Sequence, residues 1–341
     1  MLSLVGNARA QLRQLSDVVE TLRQEMQFQR ADRWSLRAPE KCPAWLDIDH
    51  NRVACRMYEV EYRGAFLAGI LVEHDKPTDE LVIYSAGHES ERETARWIEN
   101  FSVKIVQDDA AGLIGRLVAR GANVLITFMP GLGPGPTTGS STLGRIYDLM
   151  SDHRSLVLLD NQGDSAATFF VAHIKLFLDR HSSNYRRIRM FGRSGGGWSA
   201  TFAAAFDTRI QCSVSLFGTL PMRLRLPLAD EEPGPLRDFG DYEQFGLVLY
   251  KRLDYLDLYA AAAYPSRRHA QVYNAVDDCC FNGNGKGDQV MTQFRSAYPS
   301  VKGFSTKILE RSGAKVHGSM DGQTWDALME VCPVGIDTED R

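Results

Sequence analysis

The stretch RRIRMFGRSGGGWSATFAAAF, residues 186–206, decides how the chain is read. Its first six residues are a β-rich run, and from Trp198 to Phe206 small and aromatic residues follow in a helical pattern. Between them stands Gly192-Arg193-Ser194-Gly195-Gly196, a G-x-S-x-G pattern on a strand-to-helix turn. A nucleophilic serine needs such a turn, because the bend lifts its hydroxyl above the sheet edge and only small neighbours fit around it. Gly192, Gly196 and Gly197 supply them, and the following helix aims the positive end of its dipole at an oxyanion formed there. Ser194 is therefore the candidate nucleophile, with the backbone N–H of Gly195 as one oxyanion donor.

Outward from this turn, strands and helices alternate. Segments 81–87, 123–129, 209–217, 269–276 and 304–310 read as strands, and 110–120, 166–180 and the tail from Trp325 as helices. Buried runs separated by helices predict an α/β fold, a mostly parallel central sheet with helices on both faces. VACRMYEVEYRGAFLAGILVEH (53–74), with its Arg63-Gly64 turn, predicts a hairpin ahead of it. Residues 221–265, which include ADEEPGPLRDFGDYEQ, predict a cap insertion over a substrate pocket. At the amino end, Val5, Ala8, Leu12, Leu15, Val19, Leu22 and Met26 recur at alternating steps of three and four. Residues 1–34 are thus expected to form an amphipathic, coiled-coil-like helix that lies on its own domain or pairs with a second copy as a homo-oligomer. Pro39 and Pro43 mark a linker, leaving 48–341 as the main domain.

The partners of Ser194 follow from chain order, acid first and histidine last. Of eight histidines only His269 and His317 come after the serine. His269 opens a strand, at the wrong edge of a parallel sheet, whereas His317 in GAKVHGSM sits in a loop after the last strand, placed to act as general base. The acid belongs at the end of HAQVYNAV, where Asp277 and Asp278 are adjacent and only one can aim at His317. Asp277, first past the apolar run, is preferred. A second oxyanion donor comes from one of two turns, SAGH (85–88) or MPGLGPG (129–135).

With GRSGGGW, NAVDDCCFNG and KVHGS in place, the chain resembles the α/β-hydrolase superfamily over most of its length after the linker. NAVDDCCF is similar to an N-x-x-D-x-C-C-F stretch found in one branch of it, which again favours Asp277. The resemblance implies an eight-stranded, mostly parallel sheet, acyl-transfer chemistry through a serine ester, and Gly87 or His88 as the second oxyanion donor. The amino-terminal helix falls outside it.

Composition narrows the partners. With 39 basic and 43 acidic residues the net charge is −4, a field that attracts neither nucleic acid nor an acidic membrane. The longest apolar run, Phe66 to Val72, is far short of the roughly 20 residues of a spanning helix. No export signal is visible at the start, so a soluble cytoplasmic protein is expected. Six cysteines without zinc spacing predict reduced, mostly buried thiols, with the Cys279-Cys280 pair either free or joined in a strained vicinal bond. Asn282-Gly283-Asn284-Gly285-Lys286-Gly287 resembles a phosphate cradle, but no helical pattern opens after it and a loop beside the acid is expected. Neither a metal nor a cofactor is called for. The sequence therefore predicts a serine hydrolase that cleaves an ester on a small-molecule or glycan acyl substrate through an acyl-enzyme. Alternatives are an O-acyltransferase delivering the acyl group to a glycan hydroxyl, a peptidase or amidase, and a non-catalytic scaffold.

Overall fold

The computed structural model describes residues 14–31, 33–42, 46, 48–63, 65–87, 110–130, 165–225, 242–277, 281, 283, 285–311 and 320–335. Nine strands form one sheet: β1 (Arg33–Leu36), β2 (Val53–Tyr62), β3 (Ala65–His74), β4 (Glu80–Ser85), β5 (Asn123–Thr127), β6 (Arg187–Arg193), β7 (Cys212–Leu216), β8 (Arg268–Asn274) and β9 (Phe304–Leu309). Their order is β1-β2-β3-β5-β4-β6-β7-β8-β9. The six strands from β4 to β9 run parallel, and β1, β2 and β3 are joined to them by antiparallel pairing. Eight strands of this sheet are the expected frame, and β1 adds an edge strand that the sequence had left inside the amino-terminal helix and linker. The 53–74 segment is the hairpin β2–β3, with Tyr62 opposite Ala65 and Arg63 at φ 52° in the turn.

Eight helices of the described residues complete the fold: α1 (Leu15–Glu25), α2 (Ala110–Ala119), α3 (Ala167–His181), α4 (Gly195–Phe206), α5 (Met222–Arg225), α6 (Tyr255–Ala263), α7 (Lys286–Ala297) and α8 (Gly322–Val331). Side chains alternate across each strand, so the sheet feeds two separate cores. Leu81 and Ile83 of β4, with Ile188 and Met190 of β6, face the core made with α1, α3, α4, α6 and α7. Val82, Tyr84 and Phe191 face the other, made with α2 and α8. All six residues of β4 are buried, as a strand covered on both faces must be.

Four sequence expectations are corrected. The amino-terminal helix ends at Glu25, short of residue 34, and Val18, Leu22 and Met26 pack against its own domain. Residues 1–13 lie outside the described residues. Within the expected cap, residues 255–263 form α6, every residue of which is buried. It is a core helix, started by a capping box in which Asp254 accepts from the N–H of Leu256 and Asp257 while the Asp257 carboxylate accepts from the N–H of Asp254. Residues 226–241 lie outside the described residues. Third, a helix does open in the glycine-rich 282–287 stretch: α7 begins at Lys286, with Gly285 before it at φ 66°. Fourth, four of the six thiols are not reduced: Cys42 pairs with Cys55 and Cys212 with Cys332. Separations of 13 and 120 residues carry no recognisable spacing, and only the fold brings these sulfurs together. Cys279 and Cys280 lie outside the described residues. No helix among the described residues is long and apolar enough to cross a membrane.

Candidate active site

Strand register fixes where the site residues emerge. Ser85 lies opposite Gly192, Gly192 opposite Ser215, Leu216 opposite Val272 and Asn274 opposite Leu309, so the chain leaves β4, β6, β7, β8 and β9 at one carboxyl edge. Ser194 stands there, between β6 and α4, at φ 52° and ψ −124°. A non-glycine residue at positive φ costs on the order of 1–3 kcal/mol and persists only where the surroundings impose it. Here they do: the Ser194 N–H donates to Leu216 O at 2.8 Å, and Ser194 O accepts from Gly197 N at 2.8 Å and Trp198 N at 3.2 Å.

The elbow is also pressed from the neighbouring strand. A Cβ on Gly196 would lie 2.0 Å from Ser85 O, which explains glycine in a helix turn where alanine is intrinsically better by about 1 kcal/mol. Gly87 meets the elbow itself: a Cβ there would lie 2.6 Å from Arg193 O and 2.8 Å from Ser194 Cβ. The turn after β4 is therefore in contact with the candidate nucleophile. Gly195 opens α4, so its N–H is among those without an intrahelical acceptor, at the positive end of a buried helix.

The first aspartate past β8 stands beside its own strand end. Asp277 is half-buried, and its Oδ2 accepts from Asn274 Nδ2 at 3.0 Å. Asn274 is fully buried, and its Oδ1 accepts from Arg311 Nη1 at 3.2 Å. The loop that carries Asp277 returns on its origin, the Gly283 N–H donating to Asn274 O at 2.8 Å. Asp278, His88 and His317 lie outside the described residues, as does most of the 129–135 turn. The chain leaves β9 through Glu310 and Arg311 at this same edge.

His269 is far from such a role. It is fully buried at the start of β8, and burial pushes its imidazole down to about 3. The network around it has one consistent set of donors. Thr219 donates to Gln271 Oε1, Gln271 Nε2 donates to Thr201 Oγ1 and to His269 Nε2, and Thr201 donates to Gly197 O in the first turn of α4. With Nε2 accepting, His269 Nδ1 must carry the proton shared with Ser213 Oγ at 2.7 Å. A neutral histidine thus braces the helix behind the elbow. Sequence reasoning missed this, and it missed Asn274 and Arg311; the asparagine in N-x-x-D was the one visible signal.

No protein-family model matches the sequence, and no curated protein does. Solved structures do match. Methylesterase BT1017 is 17% identical, with 93% of this chain covered, 63% of that one and a TM-score of 0.56, so the chain spans under two thirds of its length. A Bacteroides fragilis protein assigned to the acetyl xylan esterases is 14% identical over 95% of this chain and 82% of its own, with a TM-score of 0.56. A glucuronoyl esterase from Solibacter usitatus is 12% identical over 94% and 91%, with a TM-score of 0.52. Strand order, a serine at positive φ on the β6–α4 turn and these likenesses agree: this chain has the α/β-hydrolase fold.

Proposed function

We propose that the protein is a serine esterase. The observation that carries this is Ser194 at positive φ on the turn between a central parallel strand and a buried helix, with Gly87 against its Cβ. Ser194 Oγ attacks the ester carbonyl, His317 takes the proton and returns it to the leaving alcohol, and Asp277 orients the imidazole and stabilises its charged form. The N–H groups of Gly195 and of the Gly87–His88 turn bind the tetrahedral oxyanion. Water then attacks the acyl-enzyme by the same proton route. An ester on a carbohydrate is the proposed substrate, supported by the acetyl xylan esterase and glucuronoyl esterase that share the fold. The two disulfides support an oxidising compartment over the cytoplasm expected from the sequence, in which no export signal was visible.

The test is hydrolysis of 4-nitrophenyl acetate and of acetylated or methyl-esterified oligosaccharides, with labelling by a fluorophosphonate. Ser194→Ala is expected to lose labelling entirely and about 10⁴-fold or more of kcat while retaining its melting temperature. Turnover within tenfold of wild type in that variant would refute the assignment. Faster release of 4-nitrophenol on adding an oligosaccharide acceptor, with acyl recovered on it, would instead identify an acyltransferase.

A further inference from the structure

We infer that Asn274 and Arg311 are positioning residues for the catalytic acid, and that they single out Asp277 over Asp278 for that role. The inference rests on the serine esterase proposed above. Its basis is a directional chain of three side chains. Arg311 is only 5% exposed in its side chain and can only donate; Asp277, ionised, can only accept. The Asn274 amide lies between them, oxygen towards the guanidinium and nitrogen towards the carboxylate. A flipped amide would set oxygen against oxygen on one side and N–H against N–H on the other, so the flanking charges dictate its orientation. The Asn274 N–H in turn fixes the rotation of the Asp277 carboxyl group by engaging Oδ2.

Arg311 is itself anchored. Its Nη2 donates to Asp321 Oδ1 at 2.6 Å and to Thr324 Oγ1, at the amino end of α8, where Asp321 caps the Thr324 N–H. Its guanidinium lies 5.5 Å from the centroid of Phe217, which stands at φ 54° one residue after β7. The residue after Phe217, Gly218, approaches Ser194 O so closely that a Cβ would be 2.5 Å away. Arg311 thus links the acid's strand end, the loop pressed on the elbow and α8, at the point where the chain sets out towards His317.

Asn274→Asp separates positioning from packing. It keeps the side chain's shape and strengthens its pairing with Arg311, but turns a carboxylate oxygen towards Asp277 where an N–H had been. With 4-nitrophenyl acetate we expect kcat to fall at least tenfold, KM to stay within twofold and the melting temperature to hold. A folded Asn274→Asp with kcat within twofold of wild type overturns the inference. Should that variant not fold, Arg311→Ala with and without millimolar guanidinium decides. A lowered kcat recovered by guanidinium supports positioning; an unchanged kcat, or a loss guanidinium does not recover, overturns it. Ser194→Ala run alongside keeps the two proposals apart, since full activity there removes the esterase itself, whereas an inactive Ser194→Ala beside an unimpaired Asn274→Asp removes only the positioning.

Discussion

Two histidines show how one residue type carries different consequences. His173 on α3 and His269 on β8 are both fully buried, and burial alone, or burial with Arg267 nearby, pushes each down to about 3. His269 has a hydrogen bond at each ring nitrogen, whereas neither nitrogen of His173 has a partner among the described residues. An unsatisfied buried polar atom costs about 1–3 kcal/mol, so His173→Leu is expected to raise stability at pH 7 by that order. The pH dependence has a definite sign. Unfolded, both rings take a proton below their ordinary value near 6.5; folded, they stay neutral down to about 3. Stability is therefore complete above about pH 6.5 and falls on acidification, by about 1.4 kcal/mol per pH unit for each ring. Urea unfolding at pH 7 and pH 5 checks this: His173→Leu should show a smaller acid loss than wild type, by about 2 kcal/mol. An equal loss in both proteins would mean that His173 is solvated in the native state.

At the scale of elements, legibility followed the strength of local pattern. The β6–α4 elbow was visible because three constraints coincide in a few residues: an apolar run, a glycine cluster and an alanine-rich helix. Asp277 was picked out as the first polar residue past the apolar run of β8, whereas Asn274, inside that run, read as part of the strand. Helix α6, YLDLYAAAA, was hidden because it shares the 221–265 interval with the polar stretch ADEEPGPLRDFGDYEQ, which suggested a surface excursion, yet Tyr255 and Tyr259 are fully buried and hydrogen-bonded. Helix α7 starts in glycines that read as a loop, and β1 is a four-residue edge strand beside a proline-marked linker. Some element contacts have no local signal at all. Arg267, 6% exposed and lowered to about 10 by burial, donates to Ala204, Asp207 and Ile210 O at and beyond the end of α4 and to Ala261 and Tyr264 O at the end of α6. Those carbonyls include the ones a helix terminus leaves unsatisfied, and one guanidinium serves both ends. Arg267→Met is expected to cost about 3 kcal/mol or more, seen as a lower urea midpoint at constant m-value. A loss under about 1 kcal/mol would show that water replaces the arginine there.

Across the whole molecule, the Cys212–Cys332 bond closes a loop of 120 residues that contains α5, α6, β8, α7, β9 and α8. Cys212 is the first residue of β7, at the sheet edge opposite Ser194, and Cys332 follows the last residue of α8. Helix α8 therefore crosses the sheet from Asp321, which holds Arg311 near the proposed acid, to a covalent tie at the far edge. In the chain-entropy account, closing a loop of this length stabilises the native state by about 4–5 kcal/mol, and a 13-residue loop such as Cys42–Cys55 by about 3 kcal/mol. The paired substitution Cys212→Ala with Cys332→Ala should then lower the free energy of unfolding by about 4 kcal/mol. Because the bond lies away from the site, kcat on 4-nitrophenyl acetate at low temperature should change less than twofold, while inactivation on warming sets in earlier. If reductant leaves the wild-type melting temperature unmoved, the bond contributes nothing in solution and the case for an oxidising compartment loses its larger support. If kcat falls with stability intact, the tie at the far edge is instead transmitted along α8 to Arg311, and the site depends on the sheet being fastened at both edges.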